Sequence, residues 1–130
     1  MKQIYSNKII NEIRRPRNVG KIKNPDGVGM VGNPLCGDIM KIYIKVGKES
    51  SGKSYIKDVK FQTLGCGAAI ATSSIITSLA KGRTLDYVLT IDGNTIIEAL
   101  GGLPREKIHC SVLADRALKK AIQNYRKGIL

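Results

Sequence analysis

Cys36, Cys66 and Cys110 are the three thiols of this chain, and each sits among residues that make a sulfur useful. They occur in Leu35-Cys36-Gly37-Asp38, Leu64-Gly65-Cys66-Gly67 and Ile108-His109-Cys110-Ser111. No two form a Cys-x-x-Cys pair, so a local zinc knuckle is excluded and any shared site must be built by the fold. Thiolates are soft ligands for Zn²⁺, iron and iron–sulfur clusters, and they are also the sulfur acceptors of exchange chemistry. Asp38 and His109 add an oxygen and a nitrogen donor to the set. Taken singly, each has an ordinary explanation: a cysteine as a small buried hydrophobe, His109 as a surface or cap residue, Asp38 as a turn former. What the three thiols share is a position at a boundary between elements.

The elements that must position them follow from periodicity. Ser6 is placed to cap a short helix carrying Ile9, Ile10 and Ile13, ended near Pro16. The stretch 16–37 is rich in proline and glycine and reads as irregular, with a short edge strand within Val28 to Leu35. Met40, Ile42, Ile44 and Val46 alternate with Lys41, Tyr43 and Lys45, and Val59, Phe61 and Thr63 alternate with Lys60 and Gln62. These are two half-buried strands joined by a hairpin loop over Gly47 to Ser54, hence antiparallel.

After Cys66 the period changes to that of a helix, with Ile70, Ser74, Thr77 and Ala80 on one stripe, Ala71, Ile75, Ile76 and Leu79 on another, and Gly82 as the stop. Thr84 and Asn94 are candidate caps for two short helices, the second closed by Gly101-Gly102. A final helix from about His109 to Arg126 presents Leu113, Ala117, Leu118, Ala121, Ile122 and Tyr125. Strands first and helices afterwards is an α+β plan. The expectation is one domain over 1–130, a small antiparallel sheet of about three strands against several helices, with 1–35 partly irregular or mobile.

This plan gives each thiol a setting. Cys66 ends a strand and opens a helix between two glycines, which permit tight turning and close approach of a ligand. Cys110 starts the last helix, and a helix N-terminus favours the thiolate. Cys36 precedes a strand with Asp38 two residues on, so in an extended segment both point the same way.

Composition narrows the class. The 130 residues are 42% hydrophobic, enough for one modest core. There is no apolar run of membrane-spanning length and no secretory signal pattern at the N-terminus, so a cytoplasmic location is expected. Net charge is +12, from 22 Lys+Arg against 10 Asp+Glu. The basic residues are spread along the chain and aromatic content is 5%, which reads first as a solvated basic surface, next as a face for an acidic protein partner, and last as a nucleic-acid site.

The chain resembles the IscU/NifU-type iron–sulfur cluster assembly scaffolds over nearly its whole length. Tyr5-Ser6 and Pro16-Arg17-Asn18-Val19-Gly20 look like the family's opening helix and loop. Gly29-Met30-Val31-Gly32-Asn33-Pro34-Leu35-Cys36-Gly37-Asp38 matches its first ligand segment, Thr63-Leu64-Gly65-Cys66-Gly67-Ala68-Ala69-Ile70-Ala71-Thr72-Ser73-Ser74 the second, and Lys107-Ile108-His109-Cys110-Ser111-Val112-Leu113 the third.

The resemblance implies a scaffold on which a [2Fe–2S] cluster is built from Fe²⁺ and sulfur and then handed to acceptor proteins. It implies Cys36, Cys66 and Cys110 as ligands, with Asp38 or His109 completing the set, and a non-enzymatic role. A cysteine desulfurase is the implied sulfur donor, Cys110 the persulfide acceptor, and Lys107 a neighbour that favours the anionic thiol. Tyr5 matches a position linked to self-association, and a homodimer in the cluster-bound state fits the resemblance.

Stable [2Fe–2S] centres use four cysteines, so a three-cysteine site with an oxygen or nitrogen donor suits transfer rather than storage. The same donors would hold Zn²⁺ in isolated protein. Leu103-Pro104-Arg105-Glu106-Lys107 departs from the Leu-Pro-Pro-Val-Lys segment of bacterial IscU, so the resemblance does not carry over a dedicated Hsp70-type chaperone.

Two other readings are open. One is a zinc-dependent sulfur acceptor of the SufU type, though the insertion that type carries before its last cysteine motif is missing here. The other is a cysteine hydrolase pairing Cys110 or Cys66 with His109. Adjacent helical residues point about 100° apart, so His109 is expected to be poorly placed to activate Cys110.

Overall fold

The computed structural model describes residues 5–33 and 38–129. Helix α1 (Asn7–Arg14) begins where Ser6 accepts a hydrogen bond on Oγ from the Ile9 N–H at 3.2 Å. The same hydroxyl donates to the Leu100 carbonyl at 2.5 Å, which ties the start of α1 to a residue 94 positions further along the chain. Ile9, Ile10 and Ile13 are on α1 as expected, with Ile9 fully buried.

Three strands follow: β1 (Gly27–Asn33), β2 (Asp38–Lys48) and β3 (Ser54–Leu64). They form one antiparallel sheet in the order β1-β2-β3, with Gly29 opposite Ile42 and Ile42 opposite Phe61. Met40, Ile42, Ile44, Val59 and Phe61 are buried on one face, as the alternation indicates; Tyr43, expected on the wet face, is buried too, and its hydroxyl donates to Gln62 Oε1 at 2.7 Å. A bulge between Lys45 and Val46 shifts the register before the hairpin.

Both edges of the sheet are occupied. Along β3, the Phe61 N–H donates to the Asn18 carbonyl and the Phe61 carbonyl accepts from the Gly20 N–H, at 2.8 and 2.9 Å. Further along, Ile56 pairs in the same way with Arg83 and Gly82. Along β1, Asn124 Nδ2 donates to the Val28 carbonyl at 2.8 Å and Lys120 Nζ to the Met30 carbonyl at 3.2 Å.

Helices fill the inner face. Helix α2 (Gly67–Ala80) packs against α1, β3 and the long C-terminal helix α5 (Ile108–Lys127). Between them lie two short helices, α3 (Leu85–Val88) and α4 (Gly93–Ala99), and a 3₁₀ turn over Arg105–Lys107. Helix α5 lies across β1 and β2. Gly27 and Gly29 make that approach close: a Cβ on Gly29 would meet the Ala117 carbonyl oxygen and the Ala121 amide nitrogen of α5, both backbone atoms.

Two further details differ from the sequence expectation. Helix α2 buries more than two stripes: Ala68, Ala69, Thr72 and Ser73 are buried as well. Its hydroxyls are tolerated because Thr72 and Thr77 donate back to the Ala68 and Ser73 carbonyls, both at 2.8 Å. Ser74 clamps the N-terminal segment, donating to Glu12 at 2.5 Å and accepting from the Arg17 N–H at 2.8 Å. Second, the cap of α4 is Asp92 rather than Asn94; its Oδ1 accepts from the Thr95 N–H at 2.9 Å. Both candidates are good cap formers, and Gly93 at the first helical position allows the earlier start. Thr84 caps α3 and Gly101-Gly102 close α4, as the sequence indicates.

Asp115 on α5 carries a testable cost. Burial raises its pKa above the usual carboxylate value, an effect that the Lys119 ammonium at 3.1 Å only partly offsets. Its Oδ1 is buried without a hydrogen-bond partner among the described residues. A carboxyl whose folded pKa is raised binds its proton more tightly in the folded state, so stability from this group is present at low pH and is lost as pH rises through the raised value. Asp115→Asn is therefore expected to melt higher than the parent at neutral pH. The difference should shrink as the pH falls toward about 4, near the ordinary Asp pKa. A difference in melting temperature that does not vary with pH would exclude this origin.

Candidate metal and sulfur site

Four chain segments end at one pole of the sheet. Strand β3 finishes at Leu64, β2 starts beside it with Ile39 opposite Leu64, and α2 and α5 both begin there. Cys66 is the residue that caps α2, in extended conformation, and its side chain makes no cap hydrogen bond. Its sulfur instead interacts with Lys107 and Cys110. Gly67 serves packing rather than ligand approach, since a Cβ there would meet Ile13 Cδ1 at 2.7 Å.

Cys110 lies in the first turn of α5 and is fully buried, whereas Cys66 is half-buried. The two sulfurs are 3.9 Å apart although 44 positions separate them in sequence. They are thiols, not a disulfide. His109 Nε2 is 3.6 Å from Cys110 Sγ. The expectation that His109 is poorly placed toward Cys110 is thus overturned. A 100° difference in Cα–Cβ direction ignores the reach of the imidazole, whose two rotatable bonds carry Nε2 back across the helix start.

Lys107 and Tyr5 complete the surroundings. The Lys107 pKa is raised, chiefly by its electrostatic interaction with the Cys66 sulfur, against a smaller opposing cost of burial. The Tyr5 hydroxyl is pushed up first by burial and next by its electrostatic interaction with the same sulfur. Sequence reasoning assigned Lys107 to Cys110; the structure puts it beside Cys66 as well. It gave Tyr5 no place at the site, and the signal that was available is its position immediately before the Ser6 cap, which fixes it at the pole where α1 begins. Removing the Lys107 charge, as in Lys107→Gln, is expected to slow alkylation of the site thiols by iodoacetamide several-fold at neutral pH, read by mass spectrometry. An unchanged rate would mean that the ammonium does not act on the sulfurs.

Cys36 lies outside the described residues, and Asp38 is placed only by its backbone, paired with Asn33 where β2 begins. That is the pole at which Cys66 and Cys110 meet. Among the described residues, no three Cys, His, Asp or Glu side chains are arranged to hold one ion. The thiol pair alone does fit a metal. Two thiolates bound tetrahedrally at about 2.3 Å place their sulfurs about 3.8 Å apart, and the observed separation is 3.9 Å.

Comparison with known proteins agrees with the fold. The chain belongs to the family of the NifU-like N-terminal domain, whose model matches residues 4–129. It is 56% identical over 122 residues to "Iron-sulfur cluster assembly scaffold protein IscU 1" of Archaeoglobus fulgidus, covering 94% of this chain and 76% of that one. It is 50% identical over 131 residues to the IscU scaffold protein of Azotobacter vinelandii, covering 97% and 98%. Among solved structures, the N-terminal part of a NifU-like protein from Brucella abortus superimposes with a TM-score of 0.75 at 19% identity, covering 95% of both chains. That likeness concerns the fold, which is the antiparallel sheet and helices read from the sequence.

Proposed function

We propose that this protein is a scaffold for iron–sulfur cluster assembly, and that its cargo is a [2Fe–2S] cluster built in place and passed to acceptor proteins. The observation that carries the reading is the Cys66–Cys110 pair, held at a separation suited to two ligands of one metal. The names borne by its relatives support it. Cys36, Cys66 and Cys110 supply the thiolates, and Asp38 or His109 the remaining donor. With one non-thiolate ligand the cluster is bound less firmly than in a four-cysteine centre, which favours release.

Sulfur arrives from a cysteine desulfurase as a persulfide on Cys110, with Lys107 nearby as a counter-charge. Fe²⁺ enters the same donors, and Zn²⁺ occupies them in isolated protein. The scaffold itself breaks no substrate bond and is not an enzyme in this reading. The odd cysteine count suits a reducing compartment, the cytoplasm. Among the described residues, no helix is long and apolar enough to cross a membrane. A second protomer is suited to shield the bound cluster.

The test is anaerobic reconstitution with Fe²⁺ and a sulfide source, followed by visible absorption and Mössbauer spectra with metal and sulfide analysis. A labile [2Fe–2S] signal is expected. Tight zinc that is required for activity, with no cluster formed, would replace this reading by the SufU-type sulfur relay.

A further inference from the structure

We propose that Cys66 is the resolving thiol of this site: it attacks the Cys110 persulfide, releases the delivered sulfur as hydrosulfide, and leaves a Cys66–Cys110 disulfide. The inference rests on the reading of Cys110 as the sulfur acceptor. A persulfide sulfur is at the oxidation level of the element, and a cluster needs sulfide, so two electrons must come from somewhere. The dithiol pair holds two.

The step balances. The Cys66 thiolate attacks Cys110 Sγ, a bond forms between the two cysteine sulfurs, and the bond from Cys110 Sγ to the outer sulfur breaks. The outer sulfur departs with that electron pair and leaves as HS⁻, carrying the proton of the persulfide. The two cysteine sulfurs are oxidised by one electron each, and the outer sulfur is reduced by two. A dithiol reductant afterwards restores the thiols, by ordinary exchange.

Geometry selects Cys66 for this role. Its Sγ is 3.9 Å from Cys110 Sγ, so closing to a disulfide length of about 2.05 Å needs a side-chain movement of about 2 Å. Cys66 is the capping residue, outside the helix proper, with an extended backbone and a side chain not engaged in capping. Cys110 has no exposure to bulk solvent, whereas Cys66 is half-exposed. Cys66 already lies against the inner sulfur, so its attack needs no encounter from solution. Proximity of this kind is what turns a slow bimolecular exchange into a fast internal one.

The experiment uses the full metal-free chain, anaerobic and free of reductant, loaded with sulfane sulfur from inorganic polysulfide. Released sulfide is followed with time, and the chain is examined by intact mass and peptide mapping. The parent is expected to release sulfide at least tenfold faster than Cys66→Ser, and to end as a chain lighter by two hydrogens with Cys66 joined to Cys110. Cys66→Ser should hold its persulfide; serine is a favoured cap residue, so this variant folds. Equal persulfide lifetimes in the two proteins, or a bridge from Cys110 to Cys36 instead, would overturn this inference alone. Failure of Cys110 to carry sulfur in either protein would overturn its assignment as acceptor, and this inference with it.

Discussion

Cys66→Ser and Cys110→Ser are each expected to give a folded protein that no longer holds a cluster. The two thiols contribute differently to folding, and this makes the comparison clean. Cys66 caps α2 without using its side chain, so a serine there can add the missing cap hydrogen bond and should leave the melting temperature level or slightly higher. Cys110 is fully buried in the first turn of α5, and serine puts a hydroxyl where a weakly polar thiol was. That hydroxyl can donate to a carbonyl one turn back, so the loss is expected at about 1 kcal/mol. Cluster content after reconstitution should nevertheless fall to near zero in both. The check is iron and sulfide per chain alongside the melting temperature. A normal cluster in either variant would remove that sulfur from the ligand set.

Gly29→Ala is expected to be the most damaging single substitution for the fold. The new methyl would run into the Ala117 carbonyl oxygen and the Ala121 amide nitrogen, which belong to the backbone of α5 and cannot rotate aside. Either α5 lifts from the sheet, uncovering Met40, Ile42 and Ile44, or β1 peels from β2. Overpacking of this kind costs about 1–3 kcal/mol when side chains can yield, and more when backbone must move. A drop in the urea midpoint by a large fraction of the whole stability is the expected result. Gly52, in a loop with open space around it, provides the contrast; its positive φ of 91° makes alanine there only locally strained.

The strands were legible because their alternation is driven by one buried face, and the registers place the same residues inward that the period selects. The end helix was legible for the same reason, with Leu113, Ala117, Leu118, Ala121 and Ile122 all buried. Helix α2 was less so. It is enclosed by α1, α5 and β3, and once a helix is buried nearly all round its stripes cease to carry information. The cap at Asp92 was missed because Asp92-Gly93-Asn94 offers two competent residues within three positions, and only the tertiary setting chooses.

The site was legible as chemistry but not as distances. Sequence named Cys66 and Cys110 but could not give their 3.9 Å approach, which depends on α2 and α5 starting at one pole. It misjudged His109 because a wheel of Cα–Cβ directions does not describe where a long side chain ends. It left Tyr5 out, because the place of the Ser6 cap in the sequence does not say which pole α1 starts from.

The occupied sheet edges have a consequence for recognition. At β1, Asn124 and Lys120 take the Val28 and Met30 carbonyls, and at β3 the backbone of Asn18, Gly20, Gly82 and Arg83 takes the polar groups of Phe61 and Ile56. Extended peptides commonly bind by joining a sheet as one more strand, which needs a run of unpaired main-chain groups. This sheet offers no such run along these stretches. A partner that docks along these stretches must therefore read mainly side chains, because main-chain pairing, which is indifferent to sequence, is largely taken up there. For a protein with a reactive thiol pair at one pole of that sheet, this is a means of choosing company: along these stretches an unfolded or passing chain finds little main chain to zip onto.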